Sequence, residues 1–591
     1  GADPSVADGS ASQPFATLAA ATAVATDGSI VALGRGSYDE PVALPAGVTL
    51  WGACVRDAVL TTSAASGDEG TIDAGAGATV RNLTIADSAR YGIQAVGTGD
   101  PVVVEDVIVR GAEGAGLRAW YGTGIEARSV FIDGTRFFSP GQPEEGMDGY
   151  GLDVCIGSSA SLDRVVLSDN HAIGVRVCAG SSLIAEDFAI IDTQLDMTPA
   201  TPAGLFAVVG ATVEARRAVV ERNRGVGVAS IAGSSVLLED VVVRNTREIS
   251  ADGPLGVGLY GEDGGGFDAS RIWVEDNRLA GIDLVGNAGT LVIHDGVVRN
   301  TRSQALDGSG GGGVSAHSSS GAPGESPPTS VELDRLYIDA NRSWGLELEG
   351  RLVTARVTDV TIRGVDPAAN GSQGHGVAVQ DGADVGLERV RVERSTGVGI
   401  RVSEGELDSS VRPEGAHAPS LRLLDVAVVD TQSLPPESTA GSGQLGRGLQ
   451  IQLGTVTGQR LLLERNREVG LMAFRSRVVL EDVTILDTQP AECGDECPVH
   501  AFGHGLVKGP IADVRVDRFT IDGSSLCGVL LEGEGLLTLH DGTISNAEIG
   551  ACVQVDGYDI GRLMDDVVYV DNELSLDGTS SLPLPDPAVA F

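Results

Sequence analysis

The chain has 591 residues, with 41 basic against 82 acidic side chains, so the formal charge is 41 − 82 = −41. That balance excludes a nucleic-acid partner, whose phosphates need a basic face, and it disfavours anionic lipid for the same reason. A composition that is 42% hydrophobic excludes disorder, and no apolar run is long enough to span a bilayer.

Nearly every positive charge is Arg, since Lys508 is the one lysine. The chain begins at Gly1 without a leader, and we expect an export signal to have been removed.

In chain order, the first element is a cap. Gln13-Pro14-Phe15-Ala16-Thr17-Leu18 and an Ala-rich run to Ala25 predict a short amphipathic helix closing the end of a core. We take residues 1–60 as this cap with the first strands, 61–573 as repeated coils and 574–591 as a C-terminal tail.

The coils announce themselves by self-similarity. The segments 215–224, 237–247 and 479–489 each carry an alternating apolar run, a polar turn with Asn or Thr, then Gly and a second apolar run. Gly281-Ile282-Asp283-Leu284 and Gly345-Leu346-Glu347-Leu348 are such second runs. Period-two alternation means strands. A turn column runs from Asn170, Thr193 and Asn223 to Ser524 and Ala547, with shortest steps of 22 to 24 residues. This predicts an all-β parallel solenoid of about 18 coils stacked at about 4.8 Å.

Five and three residues before the turn, side chains such as Val241 and Val243 are apolar and face the core. Six before it, Arg and Asp alternate: Arg164 and Asp187 lead through Arg217, Asp240, Arg271, Asp295, Arg335 and Asp359 to Arg518 and Asp541. Stacked like charges repel, so alternation fixes which coil follows which. Exposed pairs add little stability, and we read the ladder as structural. Four before the turn, Val242, Trp273, Val298 and Tyr337 predict an exposed apolar stripe. Seven alternate coils carry insertions between turn and Gly, which predicts a row of loops at one corner and a binding face there. The Pro-rich tail is expected to fold over the last coil or dock elsewhere.

The segments DGSASQPFATLAAA (8–21) and GSYDEPVALPAGVTLWGAC (36–54), followed by the coils, resemble right-handed parallel β-helix proteins of the pectate-lyase-like superfamily. The nearest likeness is to secreted or lipid-anchored β-helix repeat proteins of myxobacteria and relatives. The resemblance implies a right-handed helix and an envelope or extracellular location, and it implies no activity.

Seven cysteines leave one over. Cys155 and Cys178 sit four residues after the Gly of consecutive coils, one above the other, and are expected to bridge. Cys493 and Cys497 share the insertion CGDEC and are expected to clip it. A metal site with His500 and His504 is the alternative there. Cys527 and Cys552 lie three columns out of line, so no bridge is expected, and Cys54 has no evident partner. The pattern favours an oxidising compartment.

Catalytic signals are weak. Lyases of the superfamily use clustered acids for Ca²⁺ and an Arg base, and Arg412 in VRPEG (411–415) is only faintly similar. Related polygalacturonases carry Gly-His-Gly after paired carboxylates. Gly374-His375-Gly376 and Gly503-His504-Gly505 match the tripeptide, but the preceding coils lack the pairs, and Asp565-Asp566 has no His coil after it. No metal site is named, and no cofactor is expected beyond weak Ca²⁺ binding by the acidic surface.

Aromatics that could stack on sugar are Trp273 and Tyr337, and Trp120 and Tyr121 by the first large insertion. The expectation is a non-catalytic secreted or surface solenoid displaying loops toward an extracellular polysaccharide or surface protein. The alternatives are an atypical polysaccharide lyase or glycoside hydrolase, and a self-assembling scaffold.

Overall fold

A computed structural model describes residues 7–63, 69–138, 148–194, 202–250, 253, 255–318, 327–404, 418–435, 445–492, 502–578 and 582. They form a right-handed parallel β-helix, divided into two compact units: 1–250 with 255–273, and 251–254 with 274–591. No helix among the described residues is long and apolar enough to cross a membrane.

Most coils contribute a long strand, in places split in two, to a first sheet and a strand of six residues to a second sheet. In the first unit Ser235–Arg244 stacks on Thr212–Glu221, residue on residue from Ser235↔Thr212 to Arg244↔Glu221. In the second unit Thr455–Glu464 stacks the same way on Ser420–Val429. The alternate residues Val236, Leu238, Val241 and Val243 are wholly or almost wholly buried, as period-two alternation requires.

The N-terminal helix is short, Leu18–Thr22, capped by the Thr17 hydroxyl accepting from the Ala20 N–H. The first strand is Ile30–Leu33, stacked on Thr49–Gly52, and the tail opens as a strand, Leu574–Asp577, paired with Ile549–Gln554. Leu582 then packs on an apolar cluster that includes Met472, Phe474, Leu530 and Cys552.

The charged column lies at a bend inside the long strand. Arg217, Asp240, Arg271, Asp295, Arg335 and Asp359 all have left-handed backbone, φ between 50° and 57°. Each Arg reaches back to the Asp of the coil before it: Arg217 Nε to Asp187 Oδ1 at 2.8 Å, Arg271 to Asp240 at 2.6 Å, Arg335 to Asp295 at 2.6 Å and Arg389 to Asp359 at 2.6 Å. The column is therefore a series of clamped coil pairs.

The turn column points inward. Asn466 Oδ1 accepts from the Thr431 N–H (3.2 Å) and hydroxyl (2.7 Å), while its amide donates to the Val428 carbonyl (3.1 Å). Asn223 makes the same N–H contact with Thr193, and Asn341 with Thr301. These buried amides satisfy the backbone where each coil turns.

The second sheet holds a feature that alternation does not reveal. Its second position is Gly in nearly every coil, because the backbone tucks against the core there. A Cβ on Gly528 would lie 2.4 Å from Ile544 Cγ2 and 2.7 Å from the Gly550 carbonyl oxygen. The ladder skips this Gly and the strand kinks there, so its first and fourth residues meet on one outer face. Arg447 and Gln450, first and fourth in one strand, are hydrogen-bonded at 3.1 Å.

The kink corrects one cysteine expectation. Cys527 is in register with Ile549 and Cys552 with Leu530, three columns apart, yet the two are joined with Cα atoms 6.1 Å apart. A straight strand would separate them by about 11 Å. Cys155 and Cys178 also form a disulfide, with Cα atoms 4.7 Å apart, and Cys54 is free. Cys493 and Cys497 lie outside the described residues.

One further expectation needs correction. Val298 is core, 1% exposed, because it stands three residues before the turn; Val297 occupies the outward position.

Candidate active site

The predicted functional residues are scattered. In the first unit Trp120 donates its indole N–H to Asp153 (2.7 Å) and stacks under the Arg118 guanidinium (4.2 Å), while Tyr121 stands 66% exposed beside it. Trp273, also in the first unit, is half-buried. Tyr337, in the second, is half-buried and accepts a hydrogen bond from Arg363 at 3.3 Å.

His504 is wholly buried, neither ring nitrogen has a hydrogen-bond partner among the described residues, and burial pushes its pKa down to about 3. A neutral, enclosed imidazole does not fit a polygalacturonase-type histidine. Arg412 lies outside the described residues. His375 is buried, but it borders a place in the second unit where ionisable groups converge.

That place is the outer face of the second sheet in the second unit. Asp283 is the fourth residue of Ala280–Val285, Ser315 of Gly312–His317, Glu347 of Trp344–Glu349 and Arg401 of Val398–Ser403. Register stacks Asp283 on Ser315 and Ser315 on Glu347, and one column over it stacks His317 on Glu349. His317 Nδ1 is 3.1 Å from Glu349 Oε2. Its Nε2 lies between two carboxylates, 3.8 Å from Asp283 Oδ1 and 3.8 Å from Glu347 Oε2. The Ser315 hydroxyl donates to Asp283 Oδ1 at 2.7 Å.

The site grades inward from an open rim. Side-chain exposure falls from 40% at Glu349 and 30% at His317 to 16% at Asp283 and 8% at Glu347. Burial pushes Glu347 up to about 7, against the pull of His317, and it also raises Asp283. Burial disfavours charge on His317, but the Glu349 hydrogen bond and the fields of Glu347 and Asp283 outweigh it and lift the imidazole to about 9. The His317 hydrogen bond in turn lowers Glu349. Near neutral pH the site thus brings together an imidazolium, a carboxyl able to hold a proton, and a second, raised carboxyl.

The neighbouring coils form a wall. Arg401, pushed down to about 10 by burial, places Nη1 3.3 Å from His375 Nε2. Beyond it, Arg447 and Glu468 form a wholly buried ion pair at 2.6 Å. Trp344 covers Gly312: a Cβ there would fall 2.1 Å from the indole Nε1, so the glycine run 310–313 admits the ring.

Sequence reasoning missed Asp283 and Glu347, though both stand in the apolar runs that defined the repeat. The available signal was an ionisable residue two after the Gly, in two coils separated by one. A second mixed group, His540 with Asp565 and Asp566, lies at the C-terminal end; His540 Nδ1 is 2.9 Å from Asp517 Oδ1, and the group is solvent-accessible.

Residues 71–247 match the family described as the right handed beta helix region. Among solved structures, the chain is similar to the PL6-family alginate lyase AlyGC, at 10% identity over 95% of this chain and 99% of that one, TM-score 0.32. It is also similar to the A-module of the Azotobacter vinelandii mannuronan C-5 epimerase AlgE6, at 12% identity over 93% of each chain, TM-score 0.18. The catalytic domain of a GH87 α-1,3-glucanase in complex with nigerose aligns at 14% identity over 67% of this chain and 59% of its own, TM-score 0.21. No curated protein matches. The family match and the parallel strand register together define the class by fold alone, a right-handed parallel β-helix.

Proposed function

We propose that this chain hydrolyses a polysaccharide at the outer face between Asp283 and Arg401. The observation that carries the reading is the pair of desolvated carboxylates, Asp283 and Glu347, each 3.8 Å from one imidazole nitrogen. A structural face gains nothing from carboxyls two coils apart held against burial, whereas acid–base chemistry needs one carboxyl protonated and one ionised.

In this reading Glu347 gives its proton to the glycosidic oxygen as that bond breaks. Water attacks the anomeric carbon and passes its proton to Asp283. His317, held by Glu349, keeps positive charge beside the two carboxyls and orients the water. The disulfides Cys155–Cys178 and Cys527–Cys552 support an oxidising, extracytoplasmic location, secreted or at the cell surface.

Binding without cleavage is the second reading. It rests on Tyr121 and the clamped Trp120 in the first unit, an aromatic pair with ring centroids 5.6 Å apart. Incubation with uncharged and acidic polysaccharides, followed by product masses, separates the two. Shortened products that have gained one water support hydrolysis. Unsaturated products would replace it with elimination, and retained but intact glycan would favour the binding reading.

A further inference from the structure

The same face carries information about which glycan it takes. Four acidic groups are gathered there: Asp283, Glu347 and Glu349 around His317, and Asp381 hydrogen-bonded to Glu349. Among the described residues, the cations on the face are already engaged. His317 is held by Glu349, Arg401 lies against His375, and Arg447 is enclosed with Glu468.

The remaining outward positions among the described residues of these strands are uncharged. In register after Glu349, the outermost column runs Gln380, Ser403 and Gln452, and Gln450 follows Arg401 in the inner one. Amides and hydroxyls both donate and accept, which suits sugar hydroxyls. They offer nothing that compensates a carboxylate or sulfate brought out of water beside Glu349, and at the width of one sugar ring that repulsion is large in a partly buried site.

We infer that the polymer bound at this face is an uncharged glycan, free of carboxylate and sulfate groups. The inference rests on the proposed site being the one that meets substrate. It does not depend on the roles given there to Asp283 and Glu347.

The test is retention by the Glu347→Gln variant, isosteric and unable to donate the proton, on immobilised glycans of matched length. The probes are a soluble β-glucan, a soluble α-glucan, a polygalacturonate and a sulfated galactan, all at physiological salt without added divalent metal. We expect at least one uncharged glycan to be retained, and the two polyanions to bind at least about tenfold more weakly. Glu349→Gln, which removes a rim charge, should raise polygalacturonate retention about threefold or more. Equal or tighter retention of either polyanion, or retention of no uncharged glycan, overturns the inference.

The two readings fail separately. An uncharged glycan retained but left uncut by the wild type sinks the hydrolytic reading and leaves this inference standing. Hydrolysis of the polygalacturonate sinks this inference and leaves the acid–base reading standing.

Discussion

His504 gives the most quantitative prediction. It opens a strand of the second sheet, stacked on Val469, with the Phe502 ring centroid 5.8 Å away. With no partner to stabilise its charge, its folded pKa of about 3 lies far below the ordinary value of 6.5. The unfolded chain therefore takes up a proton below pH 6.5 while the folded chain does not until about 3. Stability must fall across that window as pH drops. The slope is about 1.4 kcal/mol per pH unit, so roughly 2 kcal/mol is lost from this residue between pH 6.5 and 5.

His504→Leu removes the titration and both unpartnered nitrogens. At pH 7.5 the variant should be as stable as the wild type or more so, because a buried polar group without a partner costs about 1–3 kcal/mol. At pH 5 its advantage should have grown by about 2 kcal/mol. Urea unfolding at both pH values, followed by circular dichroism, reads the difference, and carboxylate titrations common to both proteins cancel. An advantage unchanged between pH 7.5 and 5 would refute the reasoning.

Three further outcomes follow from the packing. Cys527→Ser with Cys552→Ser opens a link across 25 residues, and loop entropy predicts a loss of about 3 kcal/mol in the second unit, measured by urea unfolding. Gly376→Ala should destabilise by about 1–3 kcal/mol, since its Cβ would sit 2.3 Å from Val392 Cγ1 and 2.5 Å from the Gly399 carbonyl oxygen; thermal melts against Gly180→Ala, strained but sterically open, isolate the clash. Lys508 donates its ammonium to the carbonyls of Glu532, Gly533 and Glu534 at 3.2, 2.9 and 2.7 Å, so amine-reactive reagents should label Lys508 far more slowly in the folded than in the unfolded protein, read by peptide mass mapping; prompt modification of Lys508 would contradict this placement.

The coils were legible because their physics is periodic. Apolar residues at fixed offsets mark a core, and Arg217, Asp240 and Arg271 mark stacked, outward positions whatever the backbone does between them. Their left-handed conformation was not legible, since Arg has no preference for it and only the Asp members hint at a bend. The site was hidden by one assumption, that a six-residue strand is straight. On a straight strand Cys527 cannot reach Cys552, and Tyr150 cannot reach Arg176, yet the Arg176 guanidinium donates to the Tyr150 hydroxyl at 3.0 Å. Once the strand kinks at its Gly, the fourth residues of successive coils line one outer face. Asp283 and Glu347 then come within reach of one imidazole, whose own position, His317, carries no motif at all.

The central claim is that Glu347 works as an acid at this face, and reducing-end release from the best-cleaved polysaccharide tests it most directly. Wild type, Glu347→Gln and Asp283→Asn would be compared, with their folds matched by thermal melting. The account predicts that each substitution lowers kcat by about 10²–10⁴-fold, and that wild-type kcat declines above pH 7 as the carboxyl loses its proton. Glu347→Gln retaining wild-type turnover, or a wild type that cleaves no glycan, would contradict it.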